Sequence, residues 1–588
     1  MPQMDDKMAT DLLRASLIDK DLMNDYQTTS QLLHHLSCLP LAIIEAASYI
    51  NETEISVATY VSLLQGQESG MVELLSQDFE DEWRYAEIKN PVAATWLISF
   101  HQIQRLNPLA LDYLSFMSCI DHRDIPQSLL PPDDSQVKQQ NALGLLKAYS
   151  FITRQANDRI VSLHRLVHLA TRNWLRNSGV LEQWMVGTGG HLRDVFPSNV
   201  HENRILWREY LPHALFVLQS NEFQNDTEER EDLVQRVAQC LYSDGRYSQA
   251  ETLFEEVFEK RKKTLKSDDV AMVNIMSWMA STLRNQGRWT EAETLDVQVM
   301  ETSKIIFGLE SPSTLGSMAN LASTYRKQGR WTEAEKLGVQ VMETMKRVLG
   351  PEHPDTLIST ANLASTYRHQ GRWTEAEKQE VQLMETWKRV LGPEHPDTLI
   401  SMGNLASTYR DQGRWTEAEK LFVQMIETMK AVLGPEHPNT LTSMGNLAST
   451  YGKQGRWTEA EKLFEQVMEM MKRALGPEHP STLTSTTSLV SVYQYQGRWV
   501  EAEKLGVPLM ETWQRVLGPD HPETLRSMWN LSRTLKKLHR HAEALSLLQA
   551  CVRLQDQRLG SAHPDTVAAT SDLEAWKKLY SVDSSPGN

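Results

Sequence analysis

Residues 362–377 read NLASTYRHQGRWTEAE, and this stretch decides the fold because it recurs along the chain almost unchanged. Its glycine belongs to a series with a spacing of 42 residues, in which a histidine takes the eighth position: Gly245, Gly287, Gly329, Gly371, Gly413, Gly455, Gly497 and His539. A fixed period of roughly 20 to 50 residues indicates stacked helical hairpins, because one hairpin cannot bury its own apolar face. More than half of the chain is therefore predicted to be a repeat array, which favours binding over catalysis.

The unit that begins at Pro354 illustrates how each hairpin is expected to form. Pro354 suits the first position of a helix, and Asp355 complements the positive end of the helix dipole. An apolar stripe with spacings of three and four residues then runs to Gly371, where a left-handed residue would end the helix. Residues 374–377 fit the capping box T-x-x-E, so a second helix is predicted to start near Trp373.

Small and aromatic side chains are predicted to pack between the two helices of a hairpin. Ala364 and Ala376 are placed where the helices cross, with Tyr367 and Trp373 filling the space beside them. The last helix, predicted over residues 565–580, carries charged residues where the other units have alanine and tyrosine. A polar outer face of this kind is what the end of a solenoid requires.

Composition and charge exclude several classes of protein. The 588 residues exceed what one core can hold, so several domains or a long array are expected. A net charge of −16 argues against nucleic acid as the main partner, since phosphate binding needs a basic surface. Four scattered cysteines predict neither disulfides nor a zinc site. The acidic start has no signal sequence, and no apolar run could cross a bilayer, so we expect a cytoplasmic protein without membrane contact.

The repeated motifs Asn-Leu-Ala-x-x-Tyr, Gln-Gly-Arg-x-x-Glu-Ala-Glu and Leu-Gly-Pro-x-His-Pro resemble tetratricopeptide repeats of the 42-residue, kinesin-light-chain type. That resemblance implies a right-handed α-solenoid in which the first helix of each unit lines a groove for extended peptides. The corresponding groove residues form an asparagine row, broken by Ser488, and an arginine row, interrupted by Gly452: Asn320, Asn362, Asn404, Asn446, Asn530, Arg326, Arg368 and Arg410.

Two interpretations of the asparagine row remain open. The carboxamides could make hydrogen bonds at helix ends or between helices, or they could offer a donor and an acceptor to a peptide backbone. The arginines could pair with acidic groups of the ligand. A third row, of histidines such as His353, invites a metal site. Histidines one hairpin apart cannot converge on one ion, because neighbouring helices lie about 8–10 Å apart. We therefore predict helix capping for them, and no metal or cofactor.

The period disappears before the array. Residues 9–66 resemble a small helical bundle. Three helical patterns over residues 93–104, 110–117 and 137–148 precede two β-like runs, 151–154 and 159–163, with a turn at Asn157 and Asp158. This order predicts a winged-helix domain with a β-hairpin. Its third helix carries only Lys138 and Lys147, too few cations to read DNA.

The segment from Cys38 to Ala42 resembles the Gly-Leu-Pro-Leu-Ala motif of the NB-ARC module in the STAND class, which includes NOD-like receptors of the fungal type. The segment from Leu163 to Val167 resembles the Met-His-Asp type motif of the same module. The resemblance implies that Pro40 lies near an adenine and that His164 contacts a phosphate of ADP. No P-loop G-x-x-x-x-G-K-[ST] is found in the sequence, so we expect no ATP hydrolysis and treat both residues as vestigial nucleotide contacts.

The sequence thus predicts an all-α protein whose first part includes a winged helix. Its expected segments are an ARC-like bundle (1–70), a winged-helix-like domain (85–180), a helical spacer (181–227), eight repeat units (228–564), a capping helix (565–580) and a disordered tail (581–588). The expected function is non-catalytic protein or peptide binding, as the sensor part of a NOD-like receptor. The alternative is a cargo or scaffold adaptor similar to kinesin light chain. A hydrolase is not supported, because the sequence offers no nucleophile–base pair and no catalytic arrangement of carboxylates. Oligomerisation stays open.

Overall fold

The computed structural model describes residues 6–36, 38, 40–66, 91–155, 159–224, 228–264 and 269–582. The contacts within it divide the chain into two compact units, residues 1–240 and 241–588. The predicted turn at Asn157 and Asp158 lies outside the described residues.

The first unit consists of short helices and one small sheet. Its helices are α1 (Asp6–Ser16), α2 (Tyr26–His35), α3 (Pro40–Thr53), α4 (Val57–Gly66), α5 (Pro91–Leu106), α6 (Pro108–Ser118), α7 (Gln136–Ala148), α8 (Arg165–Asn177), α9 (Leu181–Val195), α10 (Arg204–Gln219) and most of α11 (Glu228–Ser243). Single 3-10 turns lie at Lys20–Met23, Gln127–Leu129, His201–Asn203 and Asn221–Phe223.

The sheet has three antiparallel strands, β1 (Ile125–Pro126), β2 (Ile152–Arg154) and β3 (Ile160–Leu163), in the order β1-β3-β2. The two predicted β-runs form the hairpin β2–β3, with Ile152 opposite Leu163. The sequence analysis missed β1, because two residues are too short a run for a period to be visible. With α5, α6 and α7 before the hairpin, the order of elements is that of the predicted winged helix.

The second unit is a succession of helical hairpins. After α11, its helices are α12 (Tyr247–Thr264), α13 (Val270–Asn285), α14 (Trp289–Phe307), α15 (Pro312–Lys327), α16 (Trp331–Val348), α17 (Pro354–His369), α18 (Trp373–Val390), α19 (Pro396–Asp411), α20 (Trp415–Val432), α21 (Pro438–Lys453), α22 (Trp457–Leu475), α23 (Pro480–Tyr495), α24 (Trp499–Leu517), α25 (Pro522–Lys537), α26 (His541–Leu559) and α27 (Pro564–Val582). Each helix packs against the next along the chain, which confirms the predicted solenoid.

The first helix of the unit that begins at Pro354 starts as predicted. Pro354 is the first residue of α17, and Nδ1 of His353 accepts a hydrogen bond from the Asp355 backbone N–H at 3.2 Å. The same histidine cap precedes five further helices, at His395, His437, His479, His521 and His563. The histidine row therefore caps helices, each histidine serving its own.

The start of the second helix differs from the prediction. Trp373 does begin α18, but its N-cap is Arg372 and no side chain caps the helix. The predicted capping box at Thr374 is therefore wrong. Glu375 accepts from Nε of Arg372 at 2.9 Å, and Glu377, the glutamate of the T-x-x-E pattern, accepts from Gln412 and Arg414 of the next unit instead of capping its own helix. That turn is left-handed at Gly371, with φ of 75°, as predicted.

The packing predictions hold for the alanines and for Tyr367, but not for Trp373. Ala364 and Ala376 are fully buried and Tyr367 is 9% exposed, whereas Trp373 is 40% exposed. Tyr367 also carries the guanidinium of Arg372 over its ring, at 4.3 Å from the centroid. The tryptophan lies at the first position of its helix, and the hairpin does not enclose its side chain.

Repeats that are far apart in sequence contact each other within the second compact unit, residues 241–588. A Cβ at Gly245 or Gly287 would overlap the ring of Pro480 or Pro522, and a Cβ at Gly329 would lie 3.1 Å from Pro564. Each pair is separated by 235 residues. Nε2 of His521 also lies 3.0 Å from the carbonyl oxygen of Asn285, and burial lowers the pKa of His521 to about 4. The solenoid therefore completes one superhelical turn and contacts itself.

The end of the array has the predicted polar face. Glu574 and Lys577 are exposed on α27, while Trp576 is buried. The helix runs to Val582, so residues 581 and 582 are helical and not part of a disordered tail; residues 583–588 lie outside the described part. All four cysteines are buried, as predicted.

Candidate peptide-binding groove

The asparagine row lies on the first helices of successive units. Asn320 and Asn362 are exposed, and Asn404, Asn446 and Asn530 are half-buried. Within the described residues, the hydrogen bonds at these positions use the backbone carbonyl oxygen, and none uses the side-chain carboxamide. The interpretation in which the carboxamides bond to neighbouring helices therefore finds no support in the described contacts.

The arginine row connects neighbouring units. Arg326 donates from Nη1 to the carbonyl oxygen of Asn362 at 3.4 Å, and Arg368 donates to that of Asn404 at 3.3 Å. Arg410 pairs instead with Asp411, its neighbour in sequence, at 3.3 Å. Arg326 and Arg368 thus connect their own first helices to the first helices of the next units. This structural role was not predicted from the sequence.

Two further members of this row were missed. Arg284 donates to the carbonyl oxygen of Asn320 at 3.2 Å, and Gln494 donates to that of Asn530 at 2.9 Å. Both follow the 42-residue period, so counting back and forward from Arg326 would have found them. At Gly452, where the row is interrupted, an added Cβ would lie 3.2 Å from the ring of Trp457.

Two buried carboxylates lie beneath the row. Asp296 and Glu380 are each 2% exposed, and each follows an arginine of the row by 12 residues. Asp296 pairs with Arg284 at 2.8 Å and accepts from the hydroxyl of Thr324 at 2.5 Å, while Glu380 lies 4.0 Å from Arg368. Burial raises the pKa of both carboxyl groups. The sequence signal for these two residues was an acid at a helix position that holds glycine, phenylalanine or leucine in the other units.

The charged and amide side chains of the repeated Gln-Gly-Arg-x-x-Glu-Ala-Glu motif pair with each other between neighbouring units. In the unit at Gly371, Glu335 of the preceding unit accepts from Gln370 at 2.8 Å and from Arg372 at 2.7 Å. The same arrangement recurs in the units around it, for example from Gln412 and Arg414 to Glu377. The Gln-Gly-Arg-x-x-Glu-Ala-Glu motif therefore encodes contacts between units, which leaves the asparagine row as the candidate for ligands.

The two residues aligned with nucleotide contacts lie in the first unit. Pro40 begins α3, and His164 lies exposed between β3 and α8, with its backbone N–H bonded to the carbonyl oxygen of Phe151 at 3.1 Å. Partial burial and the nearby His122 lower the pKa of His164. His168, four residues later, is buried and lies 2.9 Å from the carbonyl oxygen of Ile120, so it has a packing role.

Sequence comparison supports the repeat assignment. A tetratricopeptide repeat family model matches residues 271–337, 313–385, 359–426, 402–473, 445–506 and 482–557. A second tetratricopeptide repeat model matches residues 235–271. Together the matches cover more than half of the chain. Separately, none of the helices in the described residues is both long enough and apolar enough to pass through a membrane.

Two of the similar proteins are from Hyaloscypha variabilis and Pyrococcus horikoshii. A nucleotide-binding leucine-rich repeat (NLR)-like protein of Hyaloscypha variabilis is 40% identical over 258 residues, which are 43% of this chain and 26% of that protein. The chain thus matches about a quarter of that relative's length. A STAND protein with a tetratricopeptide repeat sensor from Pyrococcus horikoshii is 16% identical, covering 81% of this chain and 72% of that one with a TM-score of 0.33, too low to bear on the arrangement here.

About a third of the chain is also similar in sequence to a set of repeats whose crystal structure is known. The nearly identical TPR-like repeats of a kinesin light chain from Podospora anserina are 34% identical, covering 35% of this chain and 96% of that one, with a TM-score of 0.30. The period, the capped hairpins and the two family-model matches agree, and the chain therefore belongs to the tetratricopeptide repeat family.

Proposed function

We propose that the array is a non-catalytic platform that binds an extended peptide or protein segment along its first helices. The observation that carries this proposal is the asparagine row, whose carboxamides recur every 42 residues and make no hydrogen bond within the described residues. A carboxamide offers both a donor and an acceptor, which suits the alternating N–H and C=O groups of a peptide backbone. Main-chain recognition of this kind is largely independent of the ligand's sequence.

The test is a selection of random peptides displayed on phage against the full chain. Binders are then measured by fluorescence anisotropy on the wild type and on a variant with Asn320, Asn362, Asn404 and Asn446 all changed to alanine. We expect binding to fall by at least about tenfold, since each lost hydrogen bond contributes roughly 0.5–1.5 kcal/mol. The matched control changes four exposed glutamates on second helices, Glu343, Glu385, Glu427 and Glu469, to alanine. Equal binding by wild type and asparagine variant would contradict the proposal.

We further propose that this chain forms the sensor and winged-helix part of an NLR-like receptor. The 40% identity to the NLR-like protein supports this assignment. In such a receptor Pro40 and His164 would contact a nucleotide held mainly by a P-loop segment. The alternative is a cargo or scaffold adaptor, which the 34% identity to the kinesin light chain repeats supports.

Sequencing the transcript upstream of Met1 separates these two roles. A receptor predicts an in-frame P-loop, and the extended chain should then retain ADP, more weakly after His164→Ala. An adaptor predicts heptad repeats of a coiled coil in that place. Finding heptads and no P-loop would exclude the receptor assignment and leave the peptide-binding platform intact.

A further inference from the structure

The residue nine positions after the glycine turn of each unit lies on the second helix, and its size and charge differ between units. In one unit it is a glycine, and a recess lies beside the arginine of that unit. The residues at this position, from the second unit to the eighth, are Asp296, Gly338, Glu380, Phe422, Phe464, Gly506 and Leu548. Where the residue is an acid, its carboxylate lies beneath the arginine 12 residues earlier, as with Asp296 and Arg284. Where it is phenylalanine, the ring fills the space, and Phe422 is fully buried.

At Gly338 neither an acid nor a ring is present. The space is a recess lined by Arg326, Gly338, Ser359, Asn362 and Thr366, together with small apolar residues. Its cavity volume is about 20 Å³, and it continues into space that is open to solvent. Crowding does not require the glycine, because a Cβ there would lie 3.4 Å from Cδ1 of Leu363. A glycine inside a helix costs about 1 kcal/mol relative to alanine.

Arg326 lacks the counter-charge that its equivalents have. Arg284 and Arg368 lie within 4.0 Å of a buried carboxylate, and Arg410 pairs with Asp411. Arg326 donates only two long hydrogen bonds of 3.4 Å, to the Asn362 carbonyl oxygen and the Ser323 hydroxyl, and pairs with no carboxylate of the described residues. Burial and the neighbouring guanidinium groups lower the pKa of Arg326, as expected of a cation in surroundings without negative charge.

We propose that this recess is a subsite for one aspartate or glutamate side chain of the bound peptide. The ligand's carboxylate takes the place that Asp296 and Glu380 fill in the neighbouring units, where it pairs with Arg326. The hydroxyl of Thr366, equivalent to the Thr324 hydroxyl that donates to Asp296, lines the same space. This inference rests on the proposed function, because the ligand must lie along the asparagine row, which Asn362 joins to the recess.

The chemistry favours a carboxylate over a neutral group. A guanidinium presents several N–H donors and no acceptor, and its hydrogen bonds to carboxylates are roughly twice as strong as neutral ones. The array contains this arginine–carboxylate pairing twice, between Arg284 and Asp296 and between Arg368 and Glu380. The unit with Arg326 has the arginine but a glycine in place of the acid, so its recess is complementary to a carboxylate supplied by the ligand.

The test uses the peptides selected on the full chain, and it compares two variants that fill the same helix position. Gly338→Asn fills the recess beside Arg326, whereas Gly506→Asn fills the equivalent position beside Gln494, and neither changes the net charge. We expect the selected peptides to share an acidic residue. We expect affinity to fall about tenfold or more for Gly338→Asn and to stay within about twofold for Gly506→Asn.

A charge exchange supplies a second readout. Arg326→Glu should lose the acidic peptides and select peptides with lysine in that position, which a merely destabilised groove would not do. Replacing the peptide's acid by its amide should weaken binding to the wild type and cause little further loss on Gly338→Asn.

The outcomes separate the two proposals. Peptides without a shared acid, or an equal loss in both asparagine variants, would overturn this subsite. If binding still depends on the asparagine row in that case, the proposed function stands. Failure to select any peptide would remove the platform and the subsite together.

Discussion

Arginine has two separate tasks in this protein, set by its place in the unit. The arginines after the glycine, such as Arg372, lie over a tyrosine ring and pair with two glutamates, one of them from the preceding unit. The arginines near the end of the first helix, such as Arg326, reach to the carbonyl oxygen of the next asparagine. The first kind holds units together, and the second kind lies in the candidate groove.

At this scale the two aromatic positions of a unit should differ in stability. Tyr367→Ala removes a side chain that is 9% exposed and should lower the free energy of unfolding by about 3 kcal/mol. Trp373→Ala removes one that is 40% exposed and should cost about 1 kcal/mol, because most of its surface stays in contact with water. Urea unfolding followed by circular dichroism measures both. Equal losses would contradict the exposure found here.

At the scale of the element, the first helices α17, α19, α21 and α23 are defined by their ends. In each, a histidine Nδ1 caps the first turn, proline occupies the first position, and a left-handed glycine follows the last turn. The second helices begin without a side-chain cap, so their first turns depend on tertiary contacts. This difference explains why the sequence analysis identified the first helices correctly and misassigned the capping of the second ones.

The histidine cap can be tested on α19. His395 accepts from the Asp397 backbone N–H at 3.2 Å, so His395→Ala leaves that donor unpaired and should destabilise the helix start by about 1 kcal/mol. Asparagine is a good cap, so His395→Asn should restore most of the loss. Hydrogen exchange of the first-turn amides reports the effect locally. Unchanged exchange in the alanine variant would show that the cap contributes nothing.

At the scale of the whole second compact unit, the early repeats contact the late repeats after one superhelical turn. The glycines of the early units meet the His-Pro segments 235 residues later, while Gly371, Gly413 and Gly455 have no atom within 4 Å of an added Cβ. All these glycines have positive φ, but the early ones are also needed for close approach. His539, with φ of 61°, occupies the same position in the last unit without glycine's freedom.

Two glycine substitutions separate backbone strain from contact between turns. Gly413→Ala places a Cβ in open space at φ of 82° and should cost about 1–2 kcal/mol from the left-handed backbone alone. Gly287→Ala has a similar φ of 70° but drives its Cβ into Pro522. It should therefore cost more and also separate the turns. Small-angle scattering should detect a larger radius of gyration for Gly287→Ala only, and identical profiles would argue against the contact.

The sequence by itself determined the period, the bounds of the hairpins, the histidine caps and the glycine turns. These features depend on interactions within one or two turns of chain, and repetition displays each of them several times. Only the tertiary structure decided which side chains face outward. The exposure of Trp373, the pairing of Asp296 with Arg284, the recess at Gly338 and the contact across 235 residues depend on how far each unit rotates relative to the last. That rotation is a property of packed neighbours, which residue spacing does not encode.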